Sequence, residues 1–166
     1  MLSTQEKVMA DYSVVSLVEG DIPFGKLRIP IDTNKAKLKE LFADKLGKPR
    51  EWVADNSKWT CYALVFEILW YPAQPLSLTF KDNNLTLVNF NDPRRKMANW
   101  DYEIELENYA HIKRDLVQYL GKESISNESS SQDMSATWDY SKLSMYLACD
   151  SKTGGCGLGI GPKNLQ

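Results

Sequence analysis

Residues 76–90 read LSLTFKDNNLTLVNF. Two runs of β-forming residues flank Asp82-Asn83-Asn84, residue types that accept the left-handed backbone of a tight turn. The stretch predicts two antiparallel strands, and so a sheet-based fold. The sequence before it fills in the plan. GKLRIPI (25–31) alternates Leu27, Ile29 and Ile31 and predicts a strand. Asp32-Thr33-Asn34 offers a helix N-cap. KAKLKELFADKLG (35–47) sets Leu38, Leu41, Phe42 and Leu46 on one helical face, with Gly47 as the stop and Pro49 beyond it. WTCYALVFEI (59–68) predicts a further strand, which WYPAQP (70–75) breaks.

Beyond residue 90 the plan recurs. WDYEIELE (100–107) alternates as a strand, and HIKRDLVQYLG (111–121) places Ile112, Leu116 and Leu120 along a helix. SISNESSSQDMS (124–135) is a polar loop, expected to be mobile. TWDYSKLSMYLA (137–148) is expected to form another strand, with the Gly-rich tail as its partner. A shift of 74 positions lays Leu38, Phe42 and Leu46 on Ile112, Leu116 and Leu120, and Leu46-Gly47-Lys48 on Leu120-Gly121-Lys122. With five more residues absorbed by the Ser-rich loop, Trp59 falls on Trp138. The expectation is one domain over residues 1–166, with pseudo-repeats at 25–90 and 100–160. The fold class is α+β: two β-α-β-β-like units in one antiparallel-rich sheet, helices on one face.

The tail SKTGGCGLGIGPKNLQ (151–166) carries glycines beside Ser-Lys-Thr, the ingredients of a phosphate loop. Their order is wrong for one. Lys152-Thr153 precedes the glycines, the spacing from Gly157 is G-x-G-x-G, and Pro162 bars a following helix. A Thr-Gly-Gly turn followed by a short strand, with Leu158 and Ile160 on one face, is expected instead.

Composition narrows the function. Of 166 residues 43% are hydrophobic and 25% charged, and the net charge is −2, which disfavours nucleic acid and anionic membrane as partners. No apolar run is long enough for a membrane span. The start, MLSTQEKVMADYS, lacks the basic and apolar regions of a leader. The expected compartment is cytoplasmic, or periplasmic or secreted if a leader has been removed. Three cysteines with no metal-type spacing argue against a zinc site or a disulfide framework. Cys149 and Cys156 could pair across a hairpin in an exported protein; without a leader, reduced thiols near a turn are favoured.

LFADKLGKP (41–49), WTCY (59–62) and LSLTFKDNNLTL (76–87), echoed by LGK (120–122) and WDY (138–140), resemble the tandem units of β-lactamase-inhibitor-like proteins and related small outer-membrane lipoprotein modules. The resemblance implies a non-catalytic sheet surface that binds another protein.

The candidate site residues follow. His111 lies beside Lys113 and Arg114 with no nucleophile motif, so a surface or capping role is expected. Asp101, Glu103, Glu105 and Glu107 would share one face of the expected strand, either solvated or docking a basic partner, and too spread to feed a calcium ion alone. Residues 99–150 hold ten acids against four bases, and the rest of the chain is correspondingly basic. Trp59 and Trp138 are expected in the core. Trp70 and Tyr71, in a Pro-flanked loop, are the other candidate partner anchors. No catalytic set, cofactor motif or metal site is expected. The expected function is binding and neutralising a protein partner, as an inhibitor or toxin-immunity protein does. A cell-envelope assembly module is the alternative, and a carboxylate-dependent hydrolase ranks last.

Overall fold

The computed structural model describes residues 3–97, 101–128, 133–150 and 155–163. In chain order the elements are α1 (Thr4–Val18), β1 (Asp21–Phe24), β2 (Leu27–Pro30), α2 (Lys35–Phe42), β3 (Arg50–Ala54), β4 (Ser57–Ile68), β5 (Tyr71–Lys81), β6 (Asn84–Phe90), α3 (Tyr102–Leu120), β7 (Ile125–Asn127), β8 (Asp133–Asp139), β9 (Leu143–Asp150) and β10 (Gly155–Pro162). The fold is α+β. β1 and β2 form a hairpin of their own, and the other eight strands form one antiparallel sheet in the order β3-β4-β5-β6-β10-β9-β8-β7.

The stretch at 76–90 folds as expected, with β5 and β6 joined at Asp82-Asn83 and Asp82 at φ 54°. Asp82 ties this turn to the next hairpin, because its Oδ1 accepts from the Lys58 N–H. That next hairpin, β3–β4, turns on Asp55-Asn56, both at positive φ, a two-residue turn whose twist matches the strands.

Five segments differ from expectation. α1 has no sequence-level signature because its buried stripe is Ala10, Ser13, Ser16 and Leu17, while Val8 and Val15 are 61% and 50% exposed. The serine hydroxyls donate to Met9 O and Tyr12 O, so their burial leaves no hydroxyl unpaired. α2 begins at the expected cap, Asn34, which accepts from Lys37 N–H, but stops at Phe42. Leu46 and Gly47 instead join the sheet margin, Leu46 bridging Leu64 and Gly47 N–H donating to Ala63 O.

β5 starts at Tyr71, inside the segment expected to break it. Up to Leu76 it pairs with β4 alone, since its ladder to β6 begins at Ser77. Pro72 and Pro75 therefore sit where one side of the strand has no ladder to lose. The segment expected at 137–148 is two strands, β8 and β9, turning between Tyr140 and Leu143. The Gly-rich tail is β9's partner over eight residue pairs. The 129–132 part of the Ser-rich loop and the 151–154 part of the Thr-Gly-Gly turn lie outside the described residues.

Residues 100–107 are not a strand. Asp101 caps α3, its carboxylate accepting from Glu103 N–H and Ile104 N–H, and Gly121 at φ 81° ends the helix. Trp100 lies outside the described residues. The buried stripe of α3 is Glu105, Asn108, Tyr109, Ile112 and Leu116. Its spacing is helical, but its first turns are polar, so the apolar residues alone show an alternation of period two.

One core cluster joins Leu38 and Phe42 of α2, Ile112 and Leu116 of α3, and alternate strand residues from Tyr62 and Leu64 to Leu147 and Ile160. Phe42 meets Phe24 of β1 and Phe66 of β4 edge-on. The intervening strand residues point the other way, and among them Ala63, Val65, Pro75, Asn89 and Ala148 are exposed. Among the described residues no helix is long and apolar enough to cross a membrane.

Candidate docking face and aromatic cleft

The four acids expected on a common face are separated by the helix. Asp101 is spent as the cap of α3. Glu103 and Glu107 are exposed, and Glu107 lies 3.5 Å from Lys96 Nζ. Glu105 points inward, 2% exposed, with one carboxylate oxygen 3.3 Å from Cys156 Sγ and the other buried without a hydrogen-bond partner. Burial raises its pKa, opposed by the charge of Arg95 and a hydrogen bond from Asn108. A step of about 100° per residue cannot keep residues 101, 103, 105 and 107 on one side.

Cys149 and Cys156 are direct cross-strand partners in β9 and β10, and they form a disulfide. This corrects the preference for free thiols; register, which spacing alone did not fix, brought them together. Their sulfurs and the Glu105 carboxylate lie within 4.8 Å of one another. His111 sits in the body of α3, 3.5 Å from Asp115.

Trp70 and Tyr71 stand together at the β4–β5 turn, where Leu69 takes φ 55°. Tyr71 is buried and donates its hydroxyl to Asp92. Burial and the Asp92 charge push its pKa well up. Arg94 binds Asp92 and, at 2.7 Å, Asp115. Trp70 is half-buried and meets Tyr119 of α3 edge-on at 4.9 Å. These rings line a cleft of about 490 Å³ shared with Glu6, Glu67 and Arg94.

The open side of the sheet carries a second arrangement. Pairing registers place Ala63, Ser77, Asn89, Gly159, Tyr146 and Thr137 in one row across six strands. The next row runs Cys61, Thr79 and Leu87 on one side and Gly161, Ser144 and Asp139 on the other, where the β6–β10 ladder has ended at Val88 and Ile160. β10 offers only glycine on this side, at 155, 157, 159 and 161; Gly155 and Gly157 are partly exposed, whereas Gly159 and Gly161 are buried. Tyr146 lies over Gly159, and a Cβ there would meet its ring at 2.6 Å; beside Gly157 the space is open.

One end of this face is cationic and aromatic. Trp52 pairs with Trp59 and the indoles stack at 6.2 Å, nearly parallel. Arg50 lies over Trp52 at 5.4 Å and Lys81 over Trp59 at 5.8 Å. Trp59 is thus on the open face and not in the core; Trp138, which is buried, donates to Gly121 O. At the far edge of this face Asp133 pairs with Asp150 at one end of β8 and Asp139 stands at its other end, six residues on, with the Arg95 guanidinium close to Gly155, the β10 partner of Asp150. The period-two glycines and the Asp55-Asn56 turn, which sets Trp52 against Trp59, were the sequence signals that could have found this surface.

No family model matches the chain, and no characterised protein matches its sequence. Two crystal structures are similar to it. One is the DUF4309 family protein YjgB from Bacillus subtilis, 11% identical, covering 96% of this chain and 100% of that one, with a TM-score of 0.44. The other is a candidate β-lactamase inhibitor protein from Streptococcus mutans, 18% identical, covering 81% and 84%, with a TM-score of 0.31. Likeness of this degree assigns no function to the chain.

Proposed function

We propose that this chain binds another folded protein on the open face of its sheet and neutralises it, as an inhibitor or immunity protein does. The observation that supports the reading is the bare patch of sheet at Gly157 and its exposed cross-strand neighbour Ala148, where a partner's segment can approach the backbone closely. Tyr146 beside this patch and the Trp52–Trp59 stack at one end are rigid aromatics of the kind that anchor interfaces. On this reading the partner's docking segment carries carboxylates toward Arg50 and Lys81 and a basic side chain toward Asp133.

Gly157→Arg tests this, because the open space at Gly157 takes a long side chain without disturbing the core. Captures from native-host extract are compared for the parent, Gly157→Arg and a control altered on the exposed side of α2, Lys37→Gln. The parent and the control are expected to retain a common protein that Gly157→Arg loses. Equimolar chain is then expected to suppress that protein's activity. Identical captures by all three remove the sheet face from consideration; capture without suppression leaves binding but removes neutralisation.

A further inference from the structure

We infer that the cleft between α1, the β4–β5 turn and the C-terminal half of α3 is a binding site for an amphipathic organic cation, an ammonium or guanidinium group on an apolar body. The site is separate from the open sheet face. Its walls are the rings of Trp70, Tyr71 and Tyr119 with Met9 and Leu69, and its volume of about 490 Å³ falls within the range of small-ligand pockets.

Charge sets the sign of the occupant. Glu6 and Glu67 line the cleft and are exposed. Arg94, its one basic lining residue, is held by Asp92 at 3.1 Å and Asp115 at 2.7 Å. Two lining carboxylates, unpaired among the described residues, therefore stand beside a guanidinium whose charge is already met by Asp92 and Asp115 outside the lining, and the local field favours a cation. Aromatic faces beside that field add quadrupole attraction. Trp70 Nε1 is buried without a hydrogen-bond partner while the residue is only half-buried, so the exposed part of this indole is its carbon ring.

The test follows the Trp70 indole resonance in 15N-labelled protein during titration with phenethylammonium and, separately, with uncharged 2-phenylethanol. The cation is expected to shift it saturably, and the alcohol to bind about threefold or more weakly. Glu67→Gln, at an exposed side chain, is expected to weaken the cation about threefold and leave the alcohol unchanged. A lysine-centred capped tripeptide separates the two sources of such a cation. If the peptide binds, the group belongs to a partner's side chain; if only phenethylammonium binds, it is a free amine. Equal binding of cation and alcohol, or no shift with either, overturns the inference. Gly157→Arg leaves this titration unchanged, so failure at the sheet and failure at the cleft are distinguishable.

Discussion

Glu105 shows how far one residue's role depends on its surroundings. By sequence it is one of four equivalent acids; in the fold it is the one turned into the core, against Cys156. Its raised pKa means that the folded chain holds the Glu105 proton more tightly than the unfolded chain does. The stabilisation from that proton is complete below the ordinary carboxylate pKa and is lost as pH rises through the raised folded value. Once ionised, this buried carboxylate is therefore a cost. Glu105→Gln deletes this titration. The variant's urea midpoint relative to the parent is expected to improve steadily from pH 4 towards pH 7, and a difference independent of pH would contradict it. Trp70 and Tyr71, neighbours in sequence, divide in the same way. Tyr71 is fixed in the core by Asp92, while Trp70 faces a cleft.

At the scale of elements, local chemistry decided where segments begin and end, and apolar pattern alone did not decide their type. Asp101 is the clearest case. Its carboxylate accepts from two N–H groups of the first turn of α3, and the exposed carboxylate of Glu103 near that helix start favours its dipole. Asp101→Ala is expected to lower the unfolding free energy by about 1 kcal/mol, whereas Glu107→Gln, far from the cap and exposed, stays within about 0.5 kcal/mol. Urea denaturation of the two variants checks this; equal effects would mean that the cap contributes nothing. The same local reasoning succeeded at Asn34 and at Asp82-Asn83, where a side chain or a positive φ dictates the boundary. It failed at α1, because Ala10, Ser13 and Ser16 form a buried stripe too weakly apolar to stand out. It failed at Pro72 and Pro75, because nothing local tells a strand that one of its sides will be unpaired.

At the scale of the molecule, the sheet consists of two four-strand meanders, one after α2 and one after α3, joined where β10 pairs with β6. We propose that they are pseudo-repeats. The offset that lays Leu38 and Phe42 on Ile112 and Leu116 also lays Thr60, Tyr62 and Leu64 of β4 on Met134, Ala136 and Trp138 of β8, and all ten are buried. The same offset lays Trp59 on Asp133, so the pairing of Trp59 with Trp138 is not supported. The seam between the halves is tight. A Cβ on Gly161 would stand 2.8 Å from Thr86 O, a backbone atom of the neighbouring strand. Gly161→Ala is expected to cost about 1–3 kcal/mol by overpacking, and Gly157→Ala, with open space around it, less than about 0.5 kcal/mol. Equal urea midpoints for the two variants would mean that β10 does not seat against β6 in this way.

The sequence by itself determined the α+β class, the β5–β6 hairpin, the start of α2 and the pairing of the Gly-rich tail with β9. The local ones follow from interactions within about twenty residues, where turn chemistry and period are legible. The tertiary structure decided what depends on distant partners. It turned residues 101–107 into the start of a helix whose Glu105 packs against Cys156, 51 residues further on. It brought Cys149 and Cys156 opposite each other by register, gathered Arg50, Trp52, Trp59 and Lys81 into one ladder, and set Trp70 beside Tyr119 and Glu6. Those placements arise from which faces of strands and helices the core consumes. Burial is a property of the assembled layers, and no local pattern carries it.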